Sequence, residues 1–183
     1  KLGINVWKLI ELANHHPRVN ILQPGPGVGG HCIAVDPWFI VDSAPDEAKL
    51  IRTARLVNDN KPNFVLGKID KAVKAIGKNK SDLKIACLGL SFKPDIDDLR
   101  ESPALSIAGK IGLMGFSELF LVEPNISSIP DKLKGESISI TSADKAIKAA
   151  DIVVLLVDHT PFKKMDLEVL SGKQIVDTRG IWS

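Results

Sequence analysis

The sequence predicts an α/β protein in which a helical segment precedes a doubly wound parallel sheet. Three observations support this prediction: apolar residues recur at helical spacing up to Gly77, a polar stretch covers residues 78–82, and short apolar runs then alternate with helical patterns. Strands that alternate with helices form parallel sheets covered on both faces. We therefore expect two domains, at residues 1–80 and 81–183.

The first helical pattern covers residues 5–15. It ends before Pro17, because the residue preceding a proline is pushed out of the α region. Apolar residues recur at helical spacing from the first residues of the sequence, which predicts that the chain is a fragment of a longer protein. Adjacent His15 and His16 lack the i, i+4 spacing of a helical metal pair, so we assign no metal.

A second helical region extends from Pro45 to Gly77. Ser43 and Asp46 are predicted to cap its start, and Pro62 must kink or break it. Its long apolar stripe indicates a dimer interface, or else simple packing on the domain that follows.

The second half of the chain carries the sheet. Strands are predicted at 84–90, 119–122, 138–140, 152–157 and 174–177. Ser102 should cap a helix that begins at Pro103, and another helix is expected at 142–150. Cys87 lies within the first strand and should be an inert core residue.

The composition excludes several classes of protein. Of 183 residues, 44% are hydrophobic and 25% are charged, as in globular proteins. A formal net charge of +2 argues against a basic surface that binds nucleic acid. No apolar run approaches the roughly 20 residues of a membrane span. Two cysteines give no disulfide framework and indicate a cytoplasmic protein.

Residues 23–35 read Gln-Pro-Gly-Pro-Gly-Val-Gly-Gly-His-Cys-Ile-Ala-Val, followed by Asp36. Such free use of glycine indicates close backbone approach to a ligand or positive φ angles. Cys32 is either a nucleophile or a small buried hydrophobe, and its loop position and small neighbours favour the nucleophile. A dinucleotide fingerprint is rejected, because no apolar strand pattern precedes the glycines and Pro37 should block a following helix.

A second polar cluster follows the first predicted strand. Phe92 and Lys93 precede three aspartates and Arg100, where the ligands of parallel sheets bind. Lys93 and backbone amides suit a phosphate, with Phe92 beside a base or sugar. A solvated turn with local Asp/Arg pairs explains the same residues equally well.

These two stretches carry a resemblance to a known family. The run GPGVGGHCIAVDP resembles the active-site loop of the nucleotide-sugar 6-dehydrogenases, the family of UDP-glucose and GDP-mannose dehydrogenases. The run FKPDIDDLRESPA, at residues 92–104, matches the same family independently. The resemblance covers essentially the whole chain, and two motifs in the right order are more specific than either alone.

The resemblance implies an NAD-dependent, four-electron oxidation of the C6 hydroxyl of a UDP-sugar by a homodimer, for polysaccharide synthesis. It implies that Cys32 forms a covalent adduct and that Asp36 orients water or a proton donor. Amides at Gly29 and Gly30 are candidate donors to an oxyanion. The family's NAD-binding domain, catalytic lysine and asparagine precede this stretch, so the chain alone should be inactive.

The same resemblance assigns the remaining site residues. Substrate contacts are expected from His16, Arg18, Gly29, Phe92, Lys93 and Arg179. Arg100 is expected to reach the NAD, and Arg18 to act within its own subunit or across the dimer. Glu123 resembles an acid that binds a cofactor ribose. However, the first strand-to-helix turn contains only Gly89 of the glycine fingerprint that binds a dinucleotide. The Rossmann-like sheet should therefore hold the UDP-sugar.

Three alternatives stay open. The chain could be a non-catalytic module for nucleotide-sugar binding or dimerisation, or part of a dehydrogenase for another UDP-sugar, such as UDP-N-acetylglucosamine or UDP-glucose. A cysteine hydrolase would need a histidine that faces Cys32. His31 is adjacent and generally points away, which leaves His159 as a distant candidate.

Overall fold

A computed structural model describes residues 3–128, 133 and 135–182. The helices are α1 Val6–Ala13, α2 Asp36–Ser43, α3 Lys49–Asp59, α4 Lys61–Ile76, α5 Pro103–Gly112, α6 Ala143–Ala149 and α7 Thr160–Lys163. The strands are β1 Lys84–Leu88, β2 Glu118–Val122, β3 Ile138–Ile140, β4 Ile152–Leu155 and β5 Gln174–Asp177. Short 3-10 turns occupy Lys80–Asp82 and Leu167–Leu170.

The five strands form one parallel sheet in the order β3-β2-β1-β4-β5. The strand order reverses between β1 and β4, so the loops that leave these two strands diverge and open a crevice at their carboxyl ends. The prediction of an α/β fold with a doubly wound parallel sheet is confirmed.

Each face of the sheet packs on its own apolar core. Ile85 and Cys87 of β1 lie in the core shared with α4 and α5, whereas Ala86 and Leu88 lie in the core shared with α6. This alternation follows from the period of two in a strand. Cys87 is fully buried, and burial raises the pKa of its thiol to about 12, as expected for an inert core residue.

Helix α4 belongs to the first of these cores. Val65, Ile69, Ala72 and Val73 are buried there with the sheet residues. The second half of the predicted apolar stripe is therefore covered by packing within the chain. The helical region is interrupted at Asn60, between α3 and α4. This interruption lies two residues before Pro62, which was predicted to kink or break the helix.

Two local predictions are wrong. Ser43 does not cap the following helix: it ends α2, and its hydroxyl donates to the Phe39 carbonyl at 2.8 Å. Pro37 does not block a helix after the glycines, because α2 begins at Asp36. Proline is compatible with the first helical turn, where its missing N–H would have had no intrahelical partner.

The segment after β4 carries α7 and the turn Leu167–Leu170, neither of which was predicted. Phe162 and Leu170 from this segment complete the core beneath α6. Among the described helices, none combines the length and apolar character that crossing a bilayer requires.

Candidate functional site

The glycine loop, residues 24–32, lies against the carboxyl edge of the sheet. A Cβ at Gly25 would overlap the Arg179 guanidinium, and one at Gly30 would lie 3.1 Å from Cε2 of Phe92. Phe92 follows β1 and Arg179 follows β5. The fold therefore brings the loop that carries the thiol against two of the predicted substrate contacts.

The glycines are required by this packing. A Cβ at Gly29 would collide with the carbonyl oxygen of Glu101 and lie 2.7 Å from Pro103 Cδ. Gly27 and Gly30 have φ angles of 141° and 92°, which side chains rarely adopt. The close backbone approach inferred from the sequence is thus an approach to the protein's own α5 terminus.

Cys32 is exposed at the end of this loop. Its carbonyl accepts hydrogen bonds from the amides of Val35 at 3.0 Å and Asp36 at 2.8 Å, so a tight turn leads directly into α2. Asp36 is itself exposed as the first residue of that helix. The thiol and the carboxylate therefore lie at opposite ends of one turn, and both residues are exposed.

Arg100 lies beside the glycine loop. Its carbonyl accepts the Gly30 amide at 3.3 Å, so that amide is engaged within the protein and is not the oxyanion donor suggested by the sequence. The Arg100 Nε lies 3.0 Å from each carboxylate oxygen of Asp98. These hydrogen bonds lower the pKa of Asp98 to about 2. The local Asp/Arg pair that the sequence suggested is therefore present. The Arg100 side chain is nevertheless 65% exposed.

Arg179 is fixed by an acid that follows β4. Its Nε donates to Asp158 at 2.7 Å, and Lys163 lies 2.7 Å from the other carboxylate oxygen. Burial raises the pKa of Asp158, but the Lys163 hydrogen bond and the Arg179 charge outweigh burial and lower it. Arg179 also lines a cleft of about 430 Å³, which Trp7 and Lys8 of α1 line as well. Sequence reasoning missed Asp158, although its place just after an apolar run was a signal.

Glu123 is not free to bind a ribose, contrary to the resemblance noted above. Its side chain is fully buried, and one oxygen accepts the amides of Leu90 at 2.7 Å and Ser91 at 3.1 Å. His159 Nε2 lies 3.1 Å from the same oxygen. Burial raises the pKa of Glu123, but these hydrogen bonds hold it below its usual value. Glu123 instead fixes the turn that leaves β1.

His159 is also fully buried, so it is not exposed for the role that a cysteine hydrolase would need. Its Nδ1 accepts the Asp95 amide at 2.9 Å, and the Asp95 carboxylate accepts the Thr160 amide at 2.8 Å and the Thr160 hydroxyl at 2.7 Å. Asp95 has a positive φ of 60°. This network joins the loop after β1 to the loop after β4, and sequence reasoning did not find it.

The other predicted substrate contacts are exposed residues whose hydrogen bonds are local. Lys93 is exposed, and its carbonyl accepts the Ser91 hydroxyl at 2.7 Å. His16 and Arg18 are exposed on a turn after α1, where the Arg18 amide donates to His16 Nδ1 at 3.3 Å. In the described ranges, no group of three or more His, Cys, Asp or Glu side chains is arranged to hold a metal ion.

Two family models match the chain. Residues 86–183 match the UDP binding domain of the UDP-glucose/GDP-mannose dehydrogenase family, and residues 1–60 match its central domain. The first match alone covers more than half of the chain. The chain belongs to the UDP-glucose/GDP-mannose dehydrogenase family.

Individual family members are similar over almost the whole chain. A UDP-N-acetyl-D-mannosamine dehydrogenase from Salmonella typhi is 56% identical over 98% of this chain and 44% of that protein. An NDP-N-acetyl-D-galactosaminuronic acid dehydrogenase from Ralstonia solanacearum is 54% identical over 100% of this chain and 42% of that protein. The chain therefore spans less than half the length of these relatives.

The fold agrees with that of solved family members. The structure of a UDP-D-ManNAc dehydrogenase from Pyrococcus horikoshii superposes with a TM-score of 0.84 at 36% identity, covering 98% of this chain and 41% of that one. The similarity to the family thus extends from the motifs to the packing of the helical segment and the sheet.

Proposed function

We propose that this chain is part of an NAD-dependent dehydrogenase that converts UDP-N-acetyl-D-mannosamine into UDP-N-acetyl-D-mannosaminuronate for surface polysaccharide synthesis. The relative with 56% identity carries that substrate in its name. The observation that carries the proposal is the contact of the glycine loop with Phe92 and Arg179. The exposed Cys32 thiol ends that loop, and the sheet edge beside it is where we propose that the nucleotide binds. Dependence on a free thiol suits the reducing cytoplasm.

The sheet edge would hold the nucleotide. Arg179 is pre-oriented by Asp158 and offers its remaining N–H groups to a phosphate, for which a guanidinium is well suited. Lys93 would add a second cation and Phe92 an apolar surface for the base or sugar. We retain His16, Arg18 and Gly29 as proposed contacts to the rest of the sugar.

Cys32 would act on the C6 carbon after its first oxidation to an aldehyde. An aldehyde must become tetrahedral before it can lose another hydride, and addition of the Cys32 thiolate forms a C–S bond and a thiohemiacetal. Loss of the second hydride gives a thioester, which water hydrolyses to the carboxylate with release of the thiolate. Asp36, exposed one turn away, would orient that water or accept its proton.

The cofactor contact of this chain would be Arg100. Its backbone carbonyl bonds to Gly30 of the glycine loop, and its exposed guanidinium would suit a phosphate group of the cofactor. NAD, when bound, supplies the hydride acceptor for both oxidations. We propose that the chain alone binds UDP but does not turn over.

A second nucleotide-sugar is also a candidate substrate. The relative with 54% identity is named for N-acetyl-D-galactosaminuronic acid, so an N-acetylgalactosamine nucleotide has almost equal support. Assaying the intact protein with both UDP-N-acetylhexosamines, and with UDP-N-acetylglucosamine and UDP-glucose, would distinguish these substrates by kcat/KM.

A homodimer is proposed from the helices that precede the sheet. Phe39 of α2 is 66% exposed, and Leu50 and Val57 of α3 are 81% and 65% exposed. Large exposed apolar side chains on neighbouring helices are typical of an interface. Sedimentation of the intact protein should give a dimer, and Leu50→Glu with Val57→Glu should shift it toward monomer.

The experiment that tests the proposal is turnover by the intact protein carrying Cys32→Ser. The wild type should release two NADH per sugar. The variant should form uronate far more slowly than the wild type. Cys87→Ala is the matched control, since the buried Cys87 thiol should affect stability and not stoichiometry. Two NADH per sugar at the normal rate from Cys32→Ser would refute the thiol mechanism.

A further inference from the structure

The side chain of Asn58 holds the glycine loop at Val28 by two hydrogen bonds. The Val28 amide donates to Oδ1 at 2.8 Å, and Nδ2 donates to the Val28 carbonyl at 3.2 Å. This exchange resembles that between two paired peptide groups in a β-ladder. The last turn of α3 thus fixes the backbone four residues before Cys32.

Asn58 is itself oriented by its neighbours. Nδ2 also contacts the Asp59 carboxylate at 3.2 Å, and Arg55 Nη2 donates to the same oxygen at 2.7 Å. Arg55 is only 8% exposed, so its guanidinium is held in the protein and anchors the end of α3. The Asn58 amide therefore meets Val28 from a fixed position.

We propose that Asn58 is a positioning residue for Cys32, an inference that rests on the proposed function. A loop this rich in glycine has many accessible conformations, and the thiolate needs one that brings sulfur to roughly 3–3.5 Å from C6. The Asn58 clamp selects that conformation through its two hydrogen bonds to the loop backbone. Nucleotide affinity comes instead from the sheet edge, so Asn58 should act on kcat and leave KM unchanged.

The test compares Asn58→Ala and Asn58→Asp with wild type in the intact protein. Asn58→Ala should lower kcat by roughly ten- to a hundredfold with KM for the UDP-sugar within about twofold. Asn58→Asp keeps the acceptor for the Val28 amide, but it places a carboxylate oxygen against the Val28 carbonyl and the Asp59 carboxylate. Its kcat should therefore fall at least as far as that of Asn58→Ala. Asn63→Ala is the control, because Asn63 bonds to Asn60 and Lys110 and should leave kcat unchanged.

Hydrogen–deuterium exchange supplies a readout that is independent of turnover. The peptide covering residues 24–35 should exchange faster in Asn58→Ala, while the strands of the sheet keep the wild-type pattern. Unchanged exchange there, or activity lost only in proportion to the folded fraction, would overturn the proposal. If the wild type binds UDP without oxidising any UDP-sugar, the proposed function fails, and the exchange result still decides whether Asn58 fixes the loop.

Discussion

Gly25 lies so close to Arg179 that a Cβ at position 25 would occupy the place of the guanidinium. Arg179 is held by Asp158 at 2.7 Å, so the guanidinium has one defined position, and the loop requires glycine to pass it. The two residues are at opposite ends of the chain, and their contact joins the thiol loop to the sheet.

Gly25→Ala should weaken UDP binding by roughly tenfold, because the added methyl group displaces a guanidinium that would otherwise form a charge-assisted hydrogen bond to phosphate. Calorimetric titration of UDP against the chain measures this. Gly67→Ala in the middle of α4 is the control, since a Cβ there would meet no atom within 4 Å beyond its chain neighbours and the backbone of its own helix. Equal UDP affinity in the two variants would show that Arg179 does not contact the nucleotide.

Gly29→Ala should act more severely, because the colliding group is the Glu101 backbone carbonyl and not a flexible side chain. The loop must move away from α5, which costs about 1–3 kcal/mol of unfolding free energy and displaces Cys32. Urea denaturation and kcat of the intact protein measure the two effects. Wild-type kcat in a folded Gly29→Ala protein would contradict the role assigned to this contact.

Glu123→Gln should destabilise the fold by about 1–3 kcal/mol at neutral pH, because the buried carboxylate accepts three backbone amides and contacts His159. The pKa of Glu123 is lowered in the folded state, so its stabilisation is present above the unfolded pKa of about 4.3 and is lost as pH falls through the folded value. The difference in unfolding free energy between wild type and Glu123→Gln should therefore become smaller at acidic pH.

Urea denaturation between pH 3 and pH 7 checks this sign. The control is Glu118→Gln at the start of β2, because Glu118 forms a partly exposed pair with Lys84 and should change stability little. A stability difference for Glu123→Gln that grows as the pH falls would show that the carboxylate is not the stabilised form.

The sequence predicted the sheet well because its strands are apolar runs bounded by polar turns. Buried parallel strands give a continuous signal, which placed β1, β2 and β4 within two residues of their observed bounds. The partly exposed β3 and β5 were placed at their observed bounds. The glycine loop and the loop after β1 were also recognised, because glycines and clustered charges in a loop are unusual. Local residue patterns were therefore sufficient to locate the strands and these two loops.

The contacts between distant segments were not predictable in this way. His159 and Glu123 are 36 residues apart, and Asn58 and Val28 are 30 residues apart. Each pair meets only because the fold brings strand ends and helix ends together. The start of α2 was missed for a different reason: Pro37 was treated as a barrier, although proline fits the first turn of a helix.

The central claim is that the sulfur of Cys32 reaches the C6 carbon of a sugar whose nucleotide is held by the sheet. It is tested most directly by mass spectrometry of the intact protein after incubation with a UDP-N-acetylhexosamine that carries an irreversible electrophile at C6. We predict one adduct per chain on the peptide that contains Cys32, with slower labelling in excess UDP and in Arg179→Ala. Labelling elsewhere in the chain, or labelling of Cys32 that UDP does not slow, would contradict the account.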